Sequence, residues 1–517
     1  MQEAAKLFLE NGFLLEAKFQ EIINKINQNV AKEVVNTITS IIKQKIISSE
    51  VFLPNIDSIN KELESIREKK SPSVRKQLEE IINYFSSLKI KEELEKSKGA
   101  DDSALSKNTN DFKILKSYSI KSQKIAVEDF VSYFRNRFNA LKNIIQNKPE
   151  LDNLTSIGKI QKEKQKVSII GLVFDKRITK NKNVILKVED MTGVINVLIH
   201  NSKPELIELA KDIVLDEVLG FDCNGNNEIL FVNKVIFPDI SVEKKTAKNE
   251  DCLLFIADLH VGSKNFLEDK FLEFIKWING EVGSDEQKEI AKKISYLFVV
   301  GDIIEGVGIY PGQEELSSIT NVTKQYEKCA ELFSKIRKDI KIIICPGNHD
   351  ALRLSEPQPL LDKIFAASLY ALENVYMVSN PALVSVQDIP IFLYHGYPFD
   401  YYSRNIDSIR FNKGHEHPDI IIHFLLKKRH LAPIHASALY IPYGKEDSLV
   451  ISYAPNVFVS AHMHKSAVST YNGVLTISCS CWQSKTPAEE KIGHEPDPCK
   501  VPILNLKTGK VRIMDFS

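Results

Sequence analysis

Five short segments carry the side chains most able to do chemistry. They are Asp258-Leu259-His260, Gly301-Asp302, Pro346-Gly347-Asn348-His349-Asp350, His395-Gly396 and Ala461-His462-Met463-His464. Carboxylate, carboxamide and imidazole donors suit Mn2+, Fe2+, Zn2+ or Ni2+ better than a thiolate-seeking ion. Two such ions side by side can clamp the attacking and departing oxygens of a phosphoryl transfer, and they acidify water near neutral pH. Asp302 stands alone in its segment, which makes it the natural bridge between two cations. Residues two apart point to one side in extended backbone, so each Asp-x-His or His-x-His pair can face a single centre. Eleven of the twelve histidines lie beyond residue 250, which places the chemistry in the second half. A single buried aspartate or histidine is usually a hydrogen-bonded structural group. Five sets in order, each after a strand pattern, are hard to assign to chance.

The elements that must position these residues are readable next. Each segment follows an apolar run of strand length, at 253–257, 296–300, 340–345, 391–394 and 457–460. In open α/β sheets ligands bind beyond the carboxyl ends of the strands, so all five sets can converge on one rim. With a sixth run at 474–478, residues 250–517 read as a layered α/β domain. Ahead of it, residues 161–240 read as three strands, a helix and two strands, with a Glu189-Asp190-x-Thr192-Gly193 turn between the second and third. That is the order of an OB-fold β-barrel. Such barrels often bind single strands through aromatic side chains. Here aromatics are sparse (Phe174, Phe221, Phe231, Phe237), so a nucleic-acid face and a packing platform both stand as readings.

The first third is less informative. Apolar residues recur at helical spacing over 1–50, predicting a helical module that is either a small bundle or a docking element for a partner. Residues 51–160 are rich in Lys, Glu and Ser, and Lys98-Gly99-Ala100-Asp101-Asp102-Ser103 marks a linker, so this stretch is expected to be a flexible, partly helical tether. Within it, Phe130, Phe134, Phe138, Leu141, Ile144 and Ile145 predict an amphipathic helix ending before Pro149. Across the 517 residues, Lys+Arg and Asp+Glu are both 68, which excludes a globally basic nucleic-acid coat but not a local groove. Seven cysteines without a CxxC pair argue against a disulfide framework or a zinc finger, and for a reducing compartment. With no secretion signal and no long apolar span, an intracellular, cytoplasmic and nucleoid-associated protein without membrane partners is expected.

The five segments resemble the signatures of the calcineurin-like metallophosphoesterases, whose domain is a four-layer α/β/β/α sandwich. The text between them narrows the resemblance. Gly301-Asp302-Ile303-Ile304-Glu305-Gly306-Val307-Gly308-Ile309-Tyr310-Pro311-Gly312-Gln313 and Lys428-Arg429-His430-Leu431-Ala432-Pro433 are similar to the archaeal DNA polymerase D small-subunit family. An OB barrel directly before the phosphoesterase domain is the layout of that family and of the eukaryotic polymerase B-subunits. The resemblance covers roughly residues 160–517. The expected architecture is thus multidomain α/β: a helical module, a tether, an OB barrel and a phosphoesterase domain.

The resemblance implies roles residue by residue. Asp258, His260 and His464 would hold one metal, and Asn348, His395 and His462 a second, with Asp302 bridging. His349 would donate a proton to the leaving oxygen or steady the phosphate charge, and Asp350 would orient His349. Mn2+ is the first choice of ion, with Mg2+, Fe2+ or Zn2+ as alternatives. The implied function is a 3′–5′ proofreading exonuclease acting on single-stranded or mismatched DNA 3′ ends. It would be paired in a heterodimer with a separate polymerising large subunit, with a sliding clamp as a further candidate partner. Two rivals stand beside it: a phosphoesterase of the same type acting on another ester, such as a protein phosphatase or a recombination endonuclease, and a catalytically idle scaffold. The last motif departs from the family by placing Ala461 where glycine is usual, which bears on the pose of His462. His415, His417, His423, His430, His435 and His494 match no ligand motif, although His430 could touch substrate or partner.

Overall fold

A computed structural model describes residues 111–119, 124–442 and 446–517, with isolated positions between 29 and 81. Most of the expected module at 1–50 and the linker signal at 98–103 lie outside the described residues. The chain divides into two units, Met1–Lys107 and Asn108–Ser517, and the second holds the candidate chemistry.

The second unit opens with strand β1 (Phe112–Lys116) and helix α1 (Val127–Ile145). Both are built into the body, which corrects the expectation of a tether running to residue 160. Phe112 is fully buried against the rings of Tyr296 and Tyr376, and β1 pairs antiparallel with residues 383–386. Helix α1 buries Tyr133, Arg137, Phe138, Leu141 and Ile145 on one stripe. Of the aromatic residues in this segment, Phe112, Tyr133 and Phe138 are core, while Phe130 and Phe134 are half-buried.

Five strands then close into a barrel: β2 (Gln165–Ile178), β3 (Val184–Asp190), β4 (Gly193–Ile199), β5 (Val218–Gly225) and β6 (Ile229–Ile236), in the order β2-β3-β4-β6-β5, with helix α2 (Pro204–Lys211) between β4 and β5. Alternate residues such as Val167, Ile169, Leu186, Val188, Val197, Leu219 and Phe221 fill its interior. Strand β2 must bend to close the barrel, and Gly171 permits it, because a Cβ there would lie 2.2 Å from Val188 Cγ1. The β3–β4 turn is held by Asp190 Oδ1, which accepts from the Thr192 N–H and hydroxyl and from the Gly193 N–H. Phe174 and Phe231 are exposed, whereas Phe221 and Phe237 are buried.

Two six-stranded sheets follow. The first runs β10-β9-β8-β7-β16-β17, built from β7 (Cys252–Ile256), β8 (Ile294–Val300), β9 (Lys341–Cys345), β10 (Val375–Met377), β16 (Lys500–Asn505) and β17 (Lys510–Asp515). The second runs β1-β11-β12-β13-β15-β14, adding β11 (Ala382–Val386), β12 (Ile389–Leu393), β13 (Val457–Ser460), β14 (Ala467–Tyr471) and β15 (Val474–Ser478). Strand periodicity explains the layering. Leu253, Phe255, Phe298 and Val300 face Val384, Ile391, Leu393 and Val459 between the sheets. Leu254, Ile256, Leu297 and Val299 face outward onto helices α3 (Glu268–Ile278) and α4 (Val322–Ser334). On the far side Phe392, Phe458 and Val474 pack on helix α5 (Pro418–Lys428). The result is the expected α/β/β/α sandwich, with the central strands of both sheets buried on both faces. This is why their strands read as unbroken apolar runs.

Candidate metal centre

The carboxyl ends of β7, β8, β9, β12 and β13 meet at one rim, and each delivers its segment there. Five of the side chains sit on left-handed backbone: Asp258 (φ 50°), His260 (φ 51°), Asp302 (φ 48°), His462 (φ 71°) and His464 (φ 51°). Non-glycine residues in this region carry strain, and such residues cluster at functional sites. The paired residues thus face one centre through tight turns, not through extended backbone. Ala461 is fully buried and is absent from these left-handed positions, so the missing glycine costs no strain. Two glycines make the close approach feasible. A Cβ on Gly301 would lie 2.2 Å from His395 Nδ1, and one on Gly347 would lie 2.2 Å from Asp302 Oδ1.

The ring nitrogens define what the centre can bind. His395 Nδ1 donates to the Val300 carbonyl at 2.9 Å, so Nε2 faces the centre. Around it stand Asn348 Oδ1 at 3.0 Å and Asp302 Oδ2 at 3.3 Å. His464 Nδ1 donates to Glu489 Oε1 at 2.7 Å, which turns its Nε2 to within 3.3 Å of His260 Nε2. Asp258 Oδ1, fully buried and without a hydrogen-bond partner, lies 3.9 Å from His464 Nε2. Buried acceptors facing one another without donors need a cation. Burial pulls the His395 imidazole down, but the Asp302 and Asp258 carboxylates more than offset this, and its pKa rises to about 9. A proton is the least cation that satisfies those atoms, and a divalent ion would displace it.

Three groups have ligand atoms within 4.8 Å of one another: Asp258/His260/His464, His260/Asp302/His349 and Asp302/His395/His462. With Asn348 beside His395, every residue expected to hold metal is in one of these clusters or adjoins one. Asp302 and His260 each belong to two of these clusters and share the middle one. The donor set therefore fits a pair of divalent cations.

Several neighbours escaped sequence reasoning. Glu305 Oε2 lies 3.2 Å from His260 Nδ1, and Glu305 in turn accepts from Tyr310 Oη and Gln313 Nε2. Histidine and a carboxylate behind it are the usual support of a metal ligand. Glu305 falls three residues after Asp302 and could have been read locally. Glu489 sits on α6 (Pro487–Ile492), where its other oxygen caps the helix with Thr486, and only that Thr-x-x-Glu capping pattern is visible in sequence.

One expectation is corrected. Asp350 does not orient His349. Its carboxylate accepts from the Gly347 N–H at 2.8 Å and the Tyr326 hydroxyl at 3.1 Å, and burial pushes its pKa up to about 7. His349 is set instead by its own Nδ1–H on the Glu305 carbonyl at 2.8 Å. His430 does not line the pocket above the centre. It is fully buried, donating from Nε2 to Asp447 Oδ2 at 2.8 Å. Of the other unassigned histidines, His415 and His494 line the pocket, while His423 and His435 bond Ser469 and Tyr440. The pocket above the centre has a volume of about 280 Å³.

Comparison with known proteins gives the kinship. The sequence profile of the DNA polymerase alpha/epsilon B-subunit family matches residues 253–469. The DNA polymerase II small subunit of Methanothermobacter thermautotrophicus is 39% identical over 79% of this chain and 83% of its own. That of Pyrococcus furiosus is 36% identical over 77% of this chain and 65% of its own. Among solved structures, a novel archaeal phosphodiesterase aligns over 51% of this chain and 98% of its own, at 12% identity and a TM-score of 0.27. No helix among the described residues is long and apolar enough to cross a membrane. The extent and level of identity to the curated relatives decide the matter: the chain belongs to the archaeal DNA polymerase small-subunit family, whose members carry the name DNA polymerase II small subunit.

Proposed function

We propose that this chain is the nuclease-bearing small subunit of a two-subunit DNA polymerase and that it hydrolyses phosphodiester bonds at DNA 3′ ends. The supporting observation is a chain of overlapping groups at one pocket, Asp258/His260/His464 linked to Asp302/His395/His462 through the neighbouring His260 and Asp302. Asp258, His260 and His464 would hold one divalent cation, and Asn348, His395 and His462 the other, with Mn2+ the first choice. Such a pair supplies Lewis acidity toward a phosphoryl oxygen and a nucleophile at neutral pH.

The protein's own contribution is orientation and proton movement. Burial lowers the pKa of His349, and its Nδ1–H is committed to Glu305, so Nε2 presents a lone pair to the pocket. Through that atom it would relay a proton to the departing 3′ oxygen, while the attacking water gives its own proton to solvent. Gln483, which bonds both Ser263 and Glu305, and Tyr310 close the wall behind Glu305. Polymerisation belongs to the large subunit implied by the relatives' name. The deciding experiment supplies Mn2+ and compares shortening of 3′-recessed and single-stranded labelled DNA with dephosphorylation of a phosphopeptide. Loss of nucleotides from the 3′ end alone supports the reading. Release of phosphate from the peptide would select the phosphatase alternative, and no reaction with both ions bound would select the idle scaffold.

A further inference from the structure

The wall of this pocket is acidic where a phosphate would enter. Asp302, Glu305, Asp400 and Glu489 line it, and Asp258 lies behind. Among the described residues no lysine or arginine lines the pocket. The carboxylates differ in role. Asp302 belongs to the clusters, and Glu305 and Glu489 are committed to His260 and His464. Asp400 is half exposed on the open side, with Oδ2 4.0 Å from His462 Nε2 and Oδ1 3.8 Å from His415 Nδ1. Its guanidinium neighbour is Arg404 at 3.7 Å, an exposed pair one helical turn away that does not line the pocket. Exposed pairs of this kind attract weakly. The unpartnered, fully buried Asp258 Oδ1 marks the same pocket as built for a cationic ligand and hence for an anionic substrate above it.

A phosphodiester carries one negative charge, whereas a phosphomonoester carries close to two at neutral pH. Two divalent ions bring four positive charges, and five carboxylates surround them. The second charge of a monoester would meet a field already neutralised, with no guanidinium or ammonium to receive it. Inside a pocket of reduced dielectric that mismatch weighs more than in water.

Resting on the hydrolase reading above, we propose that the pocket selects its substrate by charge, accepting singly charged phosphodiesters and rejecting doubly charged phosphomonoesters, with Asp400 as the side chain that enforces the rejection. A strand ending in a 3′-phosphate would then keep that phosphate while its internal diesters remain substrates.

The test uses the full chain loaded with Mn2+ at pH 8. Bis(p-nitrophenyl) phosphate is expected to exceed p-nitrophenyl phosphate by about 100-fold or more in kcat/KM. Asp400→Asn is expected to narrow that ratio about tenfold, mainly through the KM of the monoester. Calorimetry supplies a readout independent of turnover. Inorganic phosphate should bind the Asp400→Asn protein about tenfold tighter than wild type, while dimethyl phosphate binding changes less than twofold. Comparable hydrolysis of the two esters by the wild-type protein, a measurement that needs no variant, overturns the proposal. So does phosphate binding that ignores the substitution. If neither ester is hydrolysed with both ions bound, the hydrolase reading itself falls, and the phosphate titrations alone decide the selectivity.

Discussion

At the scale of single residues, the centre is a set of acceptors arranged before any cation arrives, and its weak points follow from connectivity. Asp302 stands between His260 on one side and His395 and His462 on the other, so Asp302→Ala should lose both ions and not one. Elemental analysis after dialysis against limiting Mn2+ would show fewer than one ion per chain in place of two, and retention of both would contradict the bridge. Glu489 has a narrower reach. Without its carboxylate the His464 Nδ1–H is unheld and the ring is free to turn. Glu489→Ala should weaken one Mn2+ site about 10–100-fold and spare the other, as seen for outer-shell partners of metal ligands. An electron paramagnetic resonance titration of free Mn2+ resolves the two steps, and equal weakening of both would refute the assignment. His349 holds no such position, so His349→Ala should keep both ions while slowing hydrolysis about 10²–10⁴-fold. The proposed ligands were legible because each lies within four residues of a strand end. Asp350 misled because adjacency to His349 in sequence carries no side-chain contact: its carboxylate turns back to its own loop. Glu489 was illegible because it arrives 25 residues after His464 on a separate helix.

At the scale of elements, the stretch Lys428–Pro433 that stood out in the sequence is a structural knot. Asp447 Oδ2 receives both Arg137 Nε of helix α1 at 2.7 Å and His430 Nε2 at 2.8 Å. Arg137 Nη1 also donates to the carbonyls of Pro433 and Asp216, at 2.7 and 3.2 Å. All three charged or titratable side chains are essentially inaccessible. Removing one partner of a buried pair strands the other, so Arg137→Met should cost about 3–5 kcal/mol, read from urea unfolding. A change below 1 kcal/mol would mean that Asp447 finds another donor. The knot also sets a pH dependence. Burial, with Arg137 adding to it, lowers the His430 pKa to about 4, and its Nδ1 accepts from the Ala432 N–H, so the ring is held neutral. The unfolded chain protonates this histidine near pH 6.5. Between those values the unfolded state binds the extra proton, so stability falls as pH falls, by at most ~1.4 kcal/mol per pH unit. His430→Gln should flatten the wild-type slope between pH 6.5 and 4.5, and an unchanged slope would move the effect elsewhere. Helix α1 itself was readable from its aromatic periodicity. Its partner was not, because Asp447 lies 310 residues away and nothing local encodes so distant a contact.

At the scale of the whole molecule, the barrel and the two sheets of the second unit are joined by groups buried from both sides. Lys428 Nζ reaches Glu217 Oε2 and the Asp212 carbonyl, each at 2.8 Å, and α1 lies against β2 and β5 of the barrel while its Arg137 enters the knot. Strand β1 covers the β11 edge of the second sheet, a position that would otherwise expose unpaired backbone. The place where the chain is cut therefore decides the outcome. Residues 108–517 retain β1, α1 and the knot, and should melt within a few degrees of the corresponding transition of the full chain. Residues 161–517 keep every expected metal ligand, yet they leave Asp447 without Arg137 and bare the edge of β11. Linker composition alone would favour the second cut as harmless, because lysine, glutamate and serine dominate the region and the apolar stripe of α1 is a minority within it. The energetics favour the first. Loss of a buried pair partner, at about 3–5 kcal/mol, should lower the melting midpoint of 161–517 by roughly 5–10 °C and promote association through the bare strand. Calorimetry and light scattering on the two fragments measure both effects. Equal midpoints with no association would show that β1 and α1 are ornaments on a self-sufficient core. A lower midpoint for the shorter fragment would mean that residues 108–160 fold as part of the same body as the barrel and the two sheets.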